Sequence, residues 1–484
     1  MNRQIRRLAL GLFALYAALF VQLNLVQVFR ADEYNDNPNN RRAITRDFNQ
    51  PRGQILAAGG EPLARSVPVE GPFELQRQYP EGQLFGHITG FFSFAAGSDG
   101  VEKSYNDELA GRAAATSVRN LADLFIDDDT SADVRLTIPV EVQRVARDQL
   151  GERRGSIVAL DPRNGAVLAL WSFPSYDPGP VSSVDQTQAA AARESLLAAA
   201  DEPLLPRSFR ETYFPGSTFK VVTASAGLAG GRTVDSISYP AERQYVPPLT
   251  TRPINNFGGS SCGGGLVDIL RVSCNTAFAR MGVEVGPPGL VGTAEAYGFN
   301  REPPLDLPAP AASTIGDVAS FEQNTPVLAQ TAIGQNAVSS TPLGMALVAA
   351  GVANRGTVMT PHVMAEVRNR EGQIIRSYEP EPWTEAVPAP VAATVRDAMV
   401  AVVERGTATR LAVPGVPTAG KTGTAQIGNG LSHAWVIGFA PADAPRVAVA
   451  VIVEGQAGAS EQTGGRVAAP IGQAVLAAAL AATS

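Results

Sequence analysis

Phe214-Pro215-Gly216-Ser217-Thr218-Phe219-Lys220-Val221-Val222-Thr223 is the most informative segment of this 484-residue chain. Pro-Gly punctuates the backbone, and the residues after it read as the start of a helix. Positions i and i+3 share a helix face, so Ser217 Oγ and Lys220 Nζ can meet. A hydroxyl is a weak nucleophile by itself, and a neutral amine beside it can take its proton. Lysine suits that task because burial lowers its pKa, whereas arginine stays charged. Of the 39 basic residues only Lys103, Lys220 and Lys421 are lysine, which sharpens an otherwise weak S-x-x-K pattern. Taken alone, that pattern is equally a serine three residues before a solvated lysine.

Two further segments carry matching chemistry. Ser273-Cys274-Asn275 follows an apolar helical lead-in, Leu266-Val267-Asp268-Ile269-Leu270. From a short loop its hydroxyl could relay a proton and its amide could orient a carbonyl. Alone, the same residues make an ordinary helix cap. Ala419-Gly420-Lys421-Thr422-Gly423-Thr424-Ala425-Gln426 reads as a strand. Thr422 and Thr424 then point to one face, and Gly423 lets a substrate backbone approach closely. With Lys421 they form a carboxylate-binding strip; the plainer alternative is a Gly-rich turn leading into a strand.

Two motif matches are rejected. Gly415-Val416-Pro417-Thr418-Ala419-Gly420-Lys421-Thr422 has phosphate-loop spacing, but that loop needs a strand before it and a helix after it. Here strand and turn signals follow, including Gly428-Asn429-Gly430. Gly259-Ser260-Ser261-Cys262-Gly263 matches G-x-S-x-G, yet it lies in a Gly-rich loop rather than on a strand-to-helix elbow.

Farther out, the N-terminus sets the compartment. Arg3, Arg6 and Arg7 precede an apolar run from Leu8 to Val28, long enough as a helix to cross the ~30 Å hydrocarbon core. The order of charges predicts a cytoplasmic tail (1–7), an uncleaved transmembrane signal anchor (8–28) and an extracytoplasmic remainder. A cleaved signal peptide fits less well, because no small-x-small site precedes the polar stretch Ala31 to Arg46. Residues 29–135 are polar and irregular and read as a small, loosely built, non-catalytic interaction domain, with Asp127-Asp128-Asp129-Thr130-Ser131 as a linker or surface loop. Residues 136–484 form the main domain. In it Ser156–Leu160 and Ala166–Trp171 flank Asp161-Pro162-Arg163-Asn164-Gly165, a hairpin whose Asn-Gly supplies left-handed backbone angles. Strands at Ala434–Ala440 and Val447–Val453 and a last helix, Ile471–Ala482, predict an α+β domain whose first and last strands share a sheet. The composition, 45% hydrophobic and 18% charged, allows a sizeable core, and the length suits about three units. Net charge −7 gives no footprint for nucleic acid. Two cysteines and three histidines exclude a multi-cysteine zinc site, and no metal is expected.

The three motifs, in this order, resemble those of the penicillin-recognising serine acyltransferases. Arg52-Gly53-Gln54-Ile55, Gly100-Val101-Glu102 with Tyr105, Leu109 and Gly111, Asp161-Pro162 with Gly165, Pro174-Ser175-Tyr176-Asp177 and Gly334-Gln335 make the chain similar to class B penicillin-binding proteins, the short A-type form above all. Leu56-Ala57-Ala58 departs from the Asp-Arg pair usual in that family, and Cys274 occupies a variable position. The resemblance implies a transpeptidase domain with a central antiparallel sheet flanked by helices, no cofactor, and D,D-transpeptidation of peptidoglycan. In that reading Ser217 attacks the penultimate D-Ala of a D-Ala-D-Ala stem peptide, and an amine of a neighbouring stem then takes the acyl group. Lys220 serves as general base, and Ser273 with Lys421 passes a proton to the leaving amine. Asn275 orients the donor. The backbone N–H groups of Ser217 and Thr424 form the oxyanion hole, Thr422 and Thr424 hold the terminal carboxylate, and Gly423 between them belongs to the same substrate-binding strip. β-Lactams would acylate Ser217, and the implied partner is a polytopic membrane glycosyltransferase. Alternatives are a serine β-lactamase, a D,D-carboxypeptidase, or a membrane-anchored penicillin-binding scaffold without catalysis. Cys262 and Cys274, in an oxidising compartment, are expected to pair and pin the Gly-rich loop to the site wall; two buried free thiols are the alternative.

Overall fold

The computed structural model describes residues 2–26, 30, 48–70, 73–113, 131–231, 233–428, 430–455 and 463–483. Apolar residues without a helix breaker give α1 (Asn2–Asn24), none of which is buried against the rest of the described chain. The lower end of the expected span, Gln27 and Val28, lies outside the described residues, as do 127–130 of the expected linker and Asn429 of the expected turn.

Two sheets carry the architecture. Their strands in chain order are β1 (Ile55–Leu56), β2 (Pro62–Pro68), β3 (Leu75–Gln78), β4 (Asp133–Leu136), β5 (Gly155–Leu160) and β6 (Val167–Phe173). There follow β7 (Met364–Arg368), β8 (Ile374–Ser377), β9 (Ala419–Gly428), β10 (Leu431–Ala440) and β11 (Val447–Val453). The helices used below are α2 (Val140–Leu150), α3 (Lys220–Ala229), α4 (Leu266–Arg271), α5 (Asn275–Ala296), α6 (Pro342–Ala353), α7 (Ala389–Arg405) and α8 (Ala468–Ala482).

The larger domain is built on an antiparallel sheet of order β9-β10-β11-β5-β6. β11 lies between β10 and β5, with Val453 opposite Gly155 and Ala448 opposite Leu160, so strands from both ends of the domain share one sheet as expected. Every residue of β5 and β11 is buried, which requires cover on both faces. α2 and α8 pack together over one face, and α6, buried at nearly every residue, lies against the other. The hairpin at 161–165 differs from the expected tight Asn-Gly turn. Only Gly165 is left-handed, with φ 83°, while Asn164 uses its side chain to accept the Ala166 N–H at 3.0 Å. The space is closed by a neighbour: a Cβ at residue 165 would lie 2.0 Å from the Thr360 carbonyl oxygen.

The N-terminal region is better ordered than its polar sequence suggests. β1 to β4 enter a six-stranded sheet of order β8-β7-β4-β1-β2-β3, to which residues 364–377 contribute two strands. β4, on which the expected boundary near residue 135 falls, pairs parallel with β1 and antiparallel with β7. Polar residues of this region are used inside it. Glu102, wholly buried, accepts from Arg52 Nε and Arg77 Nε, each at 2.7 Å. Burial would raise its pKa, but Arg77 and Arg52 together hold it below the ordinary carboxylate value. Asp306 holds the start of β7 to the N-terminal region, taking the Val363 and Met364 N–H groups at 2.7 and 2.9 Å and the Tyr105 hydroxyl.

Candidate active site

Ser217 lies in a 3₁₀ turn, Gly216–Phe219, that runs directly into α3 at Lys220. The turn is seated by backbone contacts on two sides. Gly216 N–H donates to the Gly334 carbonyl at 2.9 Å, and Trp435 Nε1 donates to the Phe214 carbonyl at 3.1 Å. Gly216 is left-handed, with φ 54°, and a Cβ there would sit 2.8 Å from the Thr424 carbonyl oxygen of β9. The Ser217 turn therefore rests on the edge strand that carries the third motif. Ser217 is half-buried, and its Oγ makes no hydrogen bond among the described residues.

The second motif occupies the junction between two helices. Ser273 follows α4 in a left-handed conformation, φ 61°, which costs a non-glycine residue ~1–2 kcal/mol. Cys274 caps α5, and its N–H reaches back to the Ile269 carbonyl at 2.8 Å. A disulfide joins Cys274 to Cys262, with the Cα atoms 5.8 Å apart. Cys262 begins a ribbon strand, Cys262–Gly265, that pairs with Ser238–Glu242, so the bond ties that ribbon to the start of α5.

The three motifs meet through two lysines. Lys220 Nζ donates to the Ser273 carbonyl at 2.8 Å and to Asn275 Oδ1 at 2.6 Å, and lies 3.3 Å from Ser273 Oγ. Lys421 Nζ lies 2.9 Å from the same Ser273 Oγ and donates to the Thr422 carbonyl at 2.8 Å. Both lysines are fully buried, and neither has a carboxylate partner among the described residues. Removal from water lowers the Lys421 pKa to about 7. Burial, and then the nearby charge of Lys421, puts Lys220 well below the ordinary lysine value. A neutral Lys220 has two N–H groups, enough for the two carbonyl-type oxygens, and one lone pair left to accept a hydroxyl proton. Ser217 Oγ and Lys220 Nζ form no hydrogen bond in the structure, a contact the i, i+3 spacing allows. Such contacts commonly tighten only when substrate binds.

The other sequence candidates are placed as follows. Asn275 is fixed at both ends of its amide, since Nδ2 donates to the Asn255 carbonyl at 2.8 Å while Oδ1 takes Lys220. One Nδ2 hydrogen remains free of these bonds. Lys421, Thr422, Gly423 and Thr424 lie on β9, an edge strand whose outer row of backbone groups is unpaired within the sheet. Thr422 is buried, with its hydroxyl 2.6 Å from that of Thr407, and Thr424 is half-buried. The phosphate-loop match runs straight into β9 rather than opening a helix. Ser260 and Ser261 are exposed ahead of a ribbon strand, without an elbow. Among the described residues no cluster of His, Cys, Asp or Glu could hold a metal.

Residues 155–477 match the model of the penicillin-binding protein transpeptidase domain. The chain belongs to that family. Residues 52–134 match the penicillin-binding protein A dimerisation domain. The chain is 40% identical to the peptidoglycan D,D-transpeptidase PbpA of Mycolicibacterium smegmatis and 38% identical to that of Mycobacterium tuberculosis, with 99% of both chains covered in each case. Among solved structures it is similar to the ceftriaxone acyl-enzyme of M. tuberculosis penicillin-binding protein A, at 37% identity and TM-score 0.83, covering 90% of this chain and all of that one. The penicillin G acyl-enzyme of the same protein matches at 38% identity and TM-score 0.81, covering 89% of this chain and 100% of that one.

Sequence reasoning missed Thr407 and Asn255. Thr407 touches a motif residue from a turn and Asn255 from the short strand Ile254–Asn255, and neither carries a local pattern that announces it. It also missed the support beneath the nucleophile turn, where Glu454 takes the Tyr213 hydroxyl at 2.8 Å and Arg207 Nε at 3.1 Å.

Proposed function

We propose that this protein is a membrane-anchored peptidoglycan D,D-transpeptidase that works through a serine acyl-enzyme. One observation carries the reading. Two buried lysines, without carboxylate partners among the described residues, converge on the Ser273 hydroxyl, and one of them, Lys220, follows Ser217 by three residues in a turn seated against an edge strand. That arrangement stores and moves protons at neutral pH, which acyl transfer from an amide requires.

Ser217 Oγ attacks the carbonyl carbon of the penultimate D-Ala while its proton passes to the neutral Lys220 Nζ. The oxyanion is held by the backbone N–H groups of Ser217 and Thr424, commonly the largest single contribution in such sites. As the C–N bond breaks, a proton passes through Ser273, fed by Lys421, to the amine of the departing D-Ala. The ester on Ser217 is then attacked by an amine of a neighbouring stem; the amine's proton returns through Ser273 to Lys421 as the new amide forms, and Lys220 gives Ser217 its proton back as the ester bond breaks. Thr422, Gly423 and Thr424 receive the substrate's terminal carboxylate, and Asn275 aligns the donor through its remaining N–H. β-Lactams offer the same carbonyl and carboxylate and acylate Ser217.

The anchor reading rests on the exposed apolar helix α1 and on Arg3, Arg6 and Arg7 at its start, which orient residues 1–7 to the cytoplasm and residues after 28 to the outside. Residues 29–135, completed by the strands from 364–377, form the non-catalytic module, and 136–484 the catalytic domain. A polytopic glycosyltransferase that polymerises the glycan is the partner such an anchored enzyme would serve.

Fluorescent-penicillin labelling of the wild type and Ser217→Ala, followed by turnover of a stem-peptide or thioester substrate, tests the reading. Labelling and turnover that vanish in Ser217→Ala support it. Unchanged labelling in the mutant overturns the site assignment. An adduct lost within seconds would indicate a β-lactamase, and labelling without turnover a scaffold.

A further inference from the structure

A cavity of about 650 Å³ lies between the end of α6, the start of α7, the 161–165 turn and the connection between β10 and β11. None of the residues of the candidate active site lines it. Its apolar wall includes Val352, Ala353, Pro390 and Pro445. Around that wall stand Arg163, Arg355, Arg396 and Arg446, with Asp443 the acidic member of the lining. Four guanidinium groups on one cleft stand out in a chain of net charge −7.

The four are not equivalent. Asp161 clamps Arg163 through both oxygens, at 2.9 and 2.6 Å, and Asp397 takes Arg396 at 2.8 Å. Arg355, exposed and left-handed at φ 59°, makes no hydrogen bond or ion pair among the described residues. Arg446 has only a 3.4 Å contact to the Thr483 carbonyl, and Asp443 is turned to the backbone N–H of Ala444 instead. Two guanidiniums are thus left to face an apolar cleft without an ion-pair partner among the described residues.

Guanidinium groups pair bidentately with carboxylates. The negative chain repels a polyanion at long range, whereas a ligand with one or two carboxylates feels mainly the local arginines, because charges more than ~8 Å apart are screened at physiological salt. We propose that this groove binds a carboxylate-bearing stem peptide of the cell-wall polymer other than the stem being joined, through Arg355 and Arg446. The inference rests on the transpeptidase reading. Its consequence is tethering: a stem held here keeps the polymer at the enzyme between turnovers and raises the local concentration of reacting stems.

The test uses the full chain in detergent, first acylated with benzylpenicillin so that Ser217 is blocked. A fluorescent synthetic stem pentapeptide with free carboxylates is then titrated by anisotropy. Saturable binding is expected, weakened about tenfold or more in Arg355→Glu/Arg446→Glu and likewise for the fully amidated peptide. The proposal fails if the acylated wild type does not bind, or if the double variant binds like the wild type. It also fails if inorganic phosphate or anionic phospholipid vesicles displace the peptide at equal concentration. Acylation of the variant at the wild-type rate reports an intact fold. Should that rate fall, Arg355→Ala/Arg446→Ala carries the same test. Failure of the transpeptidase reading is distinguishable, because it shows beforehand as absent acylation or absent stem-peptide turnover in the wild type.

Discussion

Lys220 and Lys421 share one oxygen: their ammonium-bearing ends lie 3.3 and 2.9 Å from Ser273 Oγ. Two full charges so placed in a buried site repel, so protonating one lowers the pKa of the other. Burial lowers the Lys421 pKa to about 7, and burial, with the Lys421 charge after it, holds Lys220 well below the ordinary lysine value. Penicillin acylation should therefore rise with pH as Lys220 loses its proton and fail under acid. In Lys421→Gln the neighbouring charge is gone, so the Lys220 pKa rises and the acidic limb moves to higher pH, on top of a slower rate. Stopped-flow acylation across pH checks this; a limb that stays in place would show that Lys220 does not set it.

Lys220→Arg and Ser217→Ala should each lower the second-order acylation rate by at least ~10³-fold while leaving thermal unfolding within a few degrees. Arginine keeps a cation in the pocket but cannot accept a proton. Residual labelling of Lys220→Arg near the wild-type rate would remove Lys220 from the role of base.

Thr407 touches Thr422 through a 2.6 Å hydroxyl contact, so in the proposed reading it acts on substrate only by positioning Thr422. Thr407→Val should raise KM for a stem-peptide or thioester substrate about 5- to 10-fold, the value of roughly one hydrogen bond, with kcat little changed. Thr407→Ser restores the hydroxyl and should restore KM. A loss in kcat alone, not rescued by serine, would mark the residue as merely structural.

The Cys262–Cys274 bond closes a short loop, so removing it by the double alanine variant should cost ~3 kcal/mol of stability. Urea unfolding of the soluble portion measures this. Titration of the denatured, unreduced chain should find no free thiol, and two thiols per chain would show that the bond is absent.

The large sheet was legible because its strands are local signals: Val447–Val453 is an unbroken apolar run and the 155–173 hairpin announces itself by Asn164-Gly165. The turn geometry was not, since it depends on the Thr360 carbonyl pressing on residue 165. Ser217, Lys220, Ser273, Asn275 and Lys421 could be singled out because scarce lysines fall at chemically meaningful spacings. Thr407 could not, because its partner is fixed only once α7 has packed near β9. The N-terminal region misled for a related reason. Arg52, Arg77 and Glu102 lie in a stretch that reads as polar and loosely built, and form an interior only when the fold brings each arginine to 2.7 Å from Glu102.

Both sheets are closed by segments made late. β5 and β6 emerge early, but the central strand beside them is Val447–Val453, and the N-terminal sheet waits for residues 364–377. In the proposed anchored topology the early strands stand outside the membrane with open edges, a state prone to wrong pairing. Chains arrested before residue 364 should be protease-sensitive throughout, and protection of either sheet in such chains would overturn the inference. Premature termination therefore leaves no functional fragment, and any factor that shields nascent chains outside the membrane acts on this protein for nearly the whole of its synthesis.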